Sequence, residues 1–241
     1  MLFRSGSGNF AERLLLDLAL LADSPLRILM AGRPVETARM EWLRQAANAR
    51  AALAGRPVFV ETGIIDWTSP ETIAPFLQLA KPRLILHAAS VQPPSVVFER
   101  NNAWGMLINA CTITVTVPIQ ALLGARLGKA MTLAGCDAVF LNSCYPDGTN
   151  QVLAGLGFPV LCGAGNIGIL ASAFAGELGW REEGRVRVLA HHQNIMPWRG
   201  PVPKPTKVPP PRVWLDGIEI DEVYHRFARV RLTEAPAIPI S

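Results

Sequence analysis

What this sequence lacks narrows it first. Its four cysteines, Cys111, Cys136, Cys144 and Cys162, form no C-x-x-C pair. That leaves zinc ribbons and redox motifs without their spacing. No apolar stretch ending in a small-residue cleavage site is recognisable near the start. The thiols are therefore expected to be reduced and mostly buried, in a cytoplasmic protein. No basic run with interleaved aromatics occurs, and the net charge is only +4, so nucleic acid is not an expected partner. A membrane is not expected either. Residues 101–125 carry no charge, but Asn109, Thr112, Thr114, Thr116, Pro118 and Gln120 break the run. A spanning helix is more uniformly apolar over about 20 residues, so this segment reads as a buried helix plus a turn. No metal-ligand spacing stands out, because the adjacent His191 and His192 point to opposite faces of a strand.

What is present is an alternation of short apolar runs and helical stretches. Strands are expected at "LRILMAG" (26–32), "RPVFVET" (56–62), "RLILHAAS" (83–90), "DAVFLNS" (137–143) and "FPVLCGAG" (158–165). Helices are expected at 36–54, 69–80, 98–111 and 118–134, the second opening on Ser69-Pro70-Glu71, a good helix start. Buried strands alternating with helices imply a parallel sheet covered on both faces. The character changes toward the end. Residues 196–214 are dense in proline, which argues for an extended connection. Asp216-Gly217 between apolar runs signals a hairpin, and "FARVRLTEA" reads as a further strand. The expectation is an α/β chain: a doubly wound parallel Rossmann sheet over residues 1–165, then an incomplete α+β second domain over 166–241.

Gly6-Ser7-Gly8-Asn9-Phe10-Ala11 has the spacing of a turn that joins a strand to a helix beneath a pyrophosphate. Ala11 takes the third small position, and Leu14, Leu15, Leu18 and Leu21 supply an apolar helix face. The alternative is a Gly-rich cap on an ordinary helix. Only Met1 to Ser5 precede the turn, and Arg4 makes them a poor central strand. The first strand is therefore expected to be truncated, and the chain to be a fragment at both ends. Arg33 follows the next strand where dinucleotide folds place their ribose-contacting residue. It suits a 2′-phosphate, so NADP is the expected cofactor, with NAD open. The alternative is a solvated loop residue.

"LRILMAGRPVETARM" resembles the second strand and turn of saccharopine-dehydrogenase-type oxidoreductases. The order of the later elements is similar to the lactate/malate dehydrogenase layout, over about residues 6–195. That resemblance implies that "HAASVQPPS" runs from the fourth strand into the cofactor-covering loop. It further implies that "FLNSCYPDGTNQVL" ends the fifth strand near the nicotinamide, and that "VLAHHQN" carries a catalytic histidine. Two departures stand out. The helix after "GAGN" reads Ile167 to Ala173 and holds neither the Asp nor the substrate-binding Arg of that family. The loop "SVQPPSVVF" has no arginine. Carboxylate clamping of a 2-hydroxy acid is therefore unsupported. A short-chain-reductase Tyr-x-x-x-Lys is missing too, since Thr149 stands four residues after Tyr145.

The site is thus expected at the carboxyl ends of the strands. Gly6, Gly8, Asn9, Phe10, Ala11, Arg33, Ala88, Ala89, Ser90 and Asn142 would bind the cofactor. His192, Asn142, Tyr145 and Asp147 would carry the chemistry. His192 is preferred over His191 because it shares strand parity with Val186, Val188 and Ala190. Plain turn chemistry is the alternative for Tyr145 and Asp147, and a structural histidine for His192. The expected activity is NAD(P)-dependent hydride transfer with a small carbonyl, imine or alcohol, with a homodimer left open. The rival readings are a non-catalytic dinucleotide sensor and an S-adenosylmethionine-dependent methyltransferase. Arg33 argues against the last, since that cofactor has no phosphate.

Overall fold

The computed structural model describes residues 2–4, 9–92, 102–163, 165–177, 185–191, 194 and 208–220. The chain divides into two compact units, Met1–Gly163 and Ala164–Ser241.

The first unit runs β1 (Leu2–Arg4), α1 (Asn9–Leu21), β2 (Leu26–Gly32), α2 (Thr37–Leu53), β3 (Val58–Ile64), α3 (Pro70–Ala80), β4 (Leu84–His87), α4 (Ala103–Cys111), α5 (Val117–Ala134), β5 (Val139–Asn142), α6 (Pro146–Gly155) and β6 (Val160–Gly163). The six strands lie in the order β3-β2-β1-β4-β5-β6, and every pairing is parallel. This is the doubly wound Rossmann order, whose direction reverses between β1 and β4.

The strand expected to be poor is the central one. Phe3 pairs with Met30 on one side and Leu86 on the other, and Arg4 with Ala31 and His87. The correction has a main-chain reason: β2 and β4 both need hydrogen-bond partners between them, and any non-proline residue supplies them. β1 reaches only Leu29–Ala31 of the seven-residue β2.

The two faces of the sheet are packed separately. Leu15 of α1 and Leu43 of α2 meet Ile28, Met30 and Leu86 in one core. Ile73 and Leu77 of α3 and Leu127 and Met131 of α5 meet Ile85 and Phe140 in another. Ile85 and Leu86 are neighbours in β4, so the pleat sends them into different cores. Each such side chain, fully buried, contributes about 1.5–3 kcal/mol. α5 lies close to the loop before β6 because Gly128 has no side chain. A Cβ there would sit 2.5 Å from the ring of Phe158.

The uncharged run is divided between α4 and α5, with a bend of 116°. Among the described residues no single helix is long and apolar enough to cross a membrane. Asn102 caps α4 by accepting from the Gly105 N–H at 2.8 Å. The segment "PDGTNQVLAG", whose Pro-Asp-Gly also suits a turn, forms α6. Pro146 has no N–H to leave unsatisfied at its start. Inside the first turn, Thr149 Oγ1 lies 2.6 Å from the Cys144 carbonyl.

In the second unit, α7 (Asn166–Glu177) is followed by the antiparallel strands β7 (Val186–Leu189), β8 (Arg212–Leu215) and β9 (Ile218–Glu219). Leu170, Phe174 and Val213 form its core, with Val186, Val188 and Ala190 against them. Asp216 and Gly217 both have positive φ, 53° and 85°, as a two-residue hairpin turn requires. The segment expected as a strand at 227–235, and residues 196–207, lie outside the described residues.

The thiols are a partial correction. None of the four is in a disulfide, but only Cys144 is buried, while Cys111 and Cys162 are exposed.

Candidate functional site

Parallel strands all deliver their carboxyl ends to one edge, where open sheets of this kind bind ligands. Two polar regions of the first unit lie on that edge.

The first is a cleft of about 920 Å³ beyond β2, β3 and β4, with α5 as its far wall. Its lining includes Arg33, Glu36, Trp67, Ser90, Leu123 and Arg126. That volume suits a small molecule or one half of a dinucleotide. Gly32 lets Glu36 fold back over the strand end: a Cβ at Gly32 would stand 3.1 Å from Glu36 Oε2 and 2.5 Å from Met40 Sδ. Glu36 accepts from the Arg33 backbone N–H at 2.8 Å and from Arg33 Nη2 at 3.2 Å. Arg33 therefore already has a carboxylate partner. It is an exposed partner of a carboxylate that is itself mostly buried, with side-chain exposures of 63% and 20%. On the far wall Arg126 donates to the Trp67 carbonyl at 3.1 Å.

The second region lies after β4 and β5. The Ser143 N–H donates to the His87 carbonyl at 2.8 Å, tying the two strand ends together. Asn142 is fully buried. Its Nδ2 donates to Thr149 Oγ1 at 2.8 Å and to Asn150 Oδ1 at 2.6 Å, and its Oδ1 accepts from the Cys144 N–H at 3.0 Å. Those bonds give Asn142, expected among the catalytic and cofactor groups, a part in building the turn. Asp147 is an exposed residue of the first turn of α6, where a carboxylate complements the helix dipole.

Their neighbours are different. Ser143 Oγ, Tyr145 Oη and Gln120 Oε1 are buried and have no hydrogen-bond partner among the described residues. Such atoms are rare in folded proteins and call for an explanation. Tyr145 also holds a left-handed backbone conformation, φ 46° and ψ 51°, which is uncommon for a bulky residue. Burial, with a contribution from the adjacent Cys144, pushes its hydroxyl above the usual tyrosine range. It is therefore a donor that stays protonated near neutral pH. Gln120, 1% exposed, touches the same turn: its carbonyl is 3.7 Å from Cys144 Sγ.

The remaining expected residues fall as follows. Ala11 is 2% exposed and packs among the core residues of β2 and β4, the close helix–strand contact its small size was expected to serve. Asn9 and Phe10 are the first two residues of α1. Ala89 and Ser90 line the cleft, and Ala88 precedes them. Gly6, Gly8 and His192 lie outside the described residues. His191 is exposed at the end of β7, and its N–H donates to Asn194 Oδ1 at 2.6 Å. Among the described residues no group of three His, Cys, Asp or Glu is placed to hold a metal ion. Sequence reasoning missed Gln120 and Arg126. Both lie within an apolar helix and belong to no motif, and only the fold brings α5 to the strand ends.

No protein-family model matches the chain, and no curated protein matches it in sequence. Solved structures do. The fold is similar to that of two lactate dehydrogenases. One is MGS-M5, a lactate dehydrogenase from a Medee basin deep-sea metagenome library, with a TM-score of 0.52 and 12% identity over 78% of this chain. Another is the lactate dehydrogenase from Eimeria maxima with NADH and oxamate, with a TM-score of 0.50 and 13% identity over 94% of this chain. The chain spans 52% and 60% of the length of those two proteins.

Proposed function

We propose that the first unit binds a nicotinamide dinucleotide along the carboxyl edge of its sheet and serves an oxidoreductase acting on a small carbonyl, imine or alcohol. The observation that carries this reading is the strand order β3-β2-β1-β4-β5-β6 with a cleft of about 920 Å³ beside its point of reversal. The adenosine half occupies that cleft, with Leu123 and Ala89 against the base. Ala11 lets α1 approach the sheet closely, and the amino end of that helix attracts the pyrophosphate.

Glu36 decides the ribose. A mostly buried carboxylate at the end of β2 accepts hydrogen bonds from two ribose hydroxyls and repels a 2′-phosphate. The exposed Arg33–Glu36 pair itself contributes under about 1 kcal/mol, so it is the acid's position that matters. The preference is therefore NAD over NADP, the reverse of what Arg33 alone suggested, and the saccharopine-type reading of Arg33 goes with it.

When bound, the cofactor supplies or accepts the hydride. Tyr145 then has a defined task. Its buried, protonated hydroxyl donates a hydrogen bond to the substrate oxygen, where negative charge develops as a carbonyl is reduced. The test is isothermal titration of the chain with NADH, NADPH and S-adenosylmethionine. NADH is expected to bind more tightly than NADPH, and S-adenosylmethionine not at all. Binding of S-adenosylmethionine alone would overturn the reading.

A further inference from the structure

We infer that Gln120 and Ser143 form a receptor for a primary carboxamide, the group carried by the nicotinamide ring; this rests on the dinucleotide reading above. The orientation of the Gln120 amide is fixed by chemistry. Its Nε2 donates to the Gln92 carbonyl at 3.1 Å, and a carbonyl only accepts. Oε1 therefore faces the other way, buried and without a partner among the described residues. The arrangement is braced from behind, because Trp104 Nε1 of α4 donates to Gln92 Oε1 at 3.1 Å. The turn after β5 supplies the complementary group. Ser143 Oγ is also buried and without a partner among the described residues, and the thiol of Cys144, the next residue, meets the main-chain carbonyl of Gln120 at 3.7 Å.

An unpaired buried acceptor selects its ligand. It is satisfied only by an N–H or O–H, and a carboxylate would place more negative charge against it. A primary carboxamide offers both halves: its N–H₂ donates to Gln120 Oε1, and its carbonyl accepts from the Ser143 hydroxyl. Tyr145 remains for the reacting oxygen. The two expected hydrogen bonds thus come from residues on different elements, α5 and the β5–α6 turn, which the fold brings to one edge.

The experiment compares three ligands by isothermal titration on the full chain: NADH, the reduced 3-acetylpyridine analogue, and ADP-ribose. The analogue has a methyl group where the carboxamide has N–H₂. Wild-type protein is expected to bind NADH about tenfold more tightly than the analogue, the worth of one hydrogen bond to a buried acceptor. Gln120→Met is expected to bring that ratio close to one. Ser143→Ala is expected to weaken both dinucleotides alike, since both keep the carbonyl. Neither substitution is expected to change ADP-ribose binding, which doubles as the control for folding. Equal affinities of wild-type protein for NADH and the analogue, with ADP-ribose still bound, would overturn the carboxamide receptor and leave the dinucleotide reading standing. Failure of both NADH and ADP-ribose to bind would overturn both.

Discussion

After β2, Glu36 folds back on Arg33 and takes hydrogen bonds from that residue on both of its oxygens. After β5, Asn142 is satisfied at both polar atoms, while the hydroxyls of Ser143 and Tyr145 beside it are buried with no partner among the described residues. The first turn spends its charge within itself and leaves a carboxylate beside a cleft. The second spends one polar residue on its own construction and leaves two hydroxyls over. Within the second turn, what separates the residue that builds it from the two hydroxyls left over is whether their hydrogen bonds are already used.

Breaking the satisfied residue has the largest expected effect. Asn142→Ala removes the partner of the buried Cys144 N–H and two acceptors' donor. It is expected to cost about 2–4 kcal/mol of stability, read as the shift in a urea unfolding midpoint. A loss below about 0.5 kcal/mol would show that the β5–α6 turn is held by something else.

The charged turn is tested by its selectivity. Glu36→Gln removes the carboxylate that opposes a 2′-phosphate and frees Arg33. The ratio of NADPH to NADH affinity is expected to move about tenfold toward NADPH, about 1.4 kcal/mol. An unchanged ratio would place the ribose elsewhere.

Tyr145→Phe sharpens the contrast with Asn142, because it deletes a buried hydroxyl with no hydrogen-bond partner among the described residues. Stability is expected to hold within about 0.5 kcal/mol or to rise, while turnover, once a substrate is identified, falls by at least about a hundredfold. A large drop in melting temperature would reveal a structural hydroxyl.

The smallest effect concerns exposed carboxylates away from both turns. Glu41 accepts from Arg44 Nε at 2.7 Å and from Gln45 Nε2 at 2.9 Å, and these bonds, Arg44's first, lower its pKa to about 2. A lowered folded-state pKa gives stability that is present above the ordinary value of 4.5 and is lost as pH falls toward about 2. Glu61, Asp216 and Glu219 are lowered in the same sense, chiefly by hydrogen bonds from Arg27, Arg185 and Arg212. Melting temperature is therefore expected to decline across that acid window, and slightly less steeply in Glu41→Gln. These groups are partly or wholly solvent-exposed, so salt is expected to shrink the difference.

Much of the fold was legible because buried parallel strands are continuous apolar runs. "LRILMAG" became β2 residue for residue, and Asp216-Gly217 turned the hairpin. Two elements were not. Leu2–Arg4 was read as too short and too charged, yet a central strand is defined by the ladders on either side of it. The other is Pro146–Gly155, where the triplet Pro-Asp-Gly suggested plain turn chemistry as an alternative, while Pro at the first position equally starts a helix. At the strand ends, the sequence shows residue types but not which of their hydrogen bonds are already taken. Arg33 and Asn142 are visible as residue types. That Glu36 occupies one and Thr149 and Asn150 the other is a tertiary fact. Gln120 gave no signal at all, because a glutamine in an apolar helix looks like an interruption until its neighbours are known.

The central claim is that a nicotinamide dinucleotide lies along the carboxyl edge of the first unit, and amide hydrogen exchange with and without NADH tests it most directly. The account predicts slower exchange at residues 32–36, 88–92 and 120–126 and in the turn 143–145. It predicts no change on the amino-terminal edge of the sheet, at residues 56–58 and 135–139. Protection confined to that opposite edge, or none at saturating NADH, would contradict it.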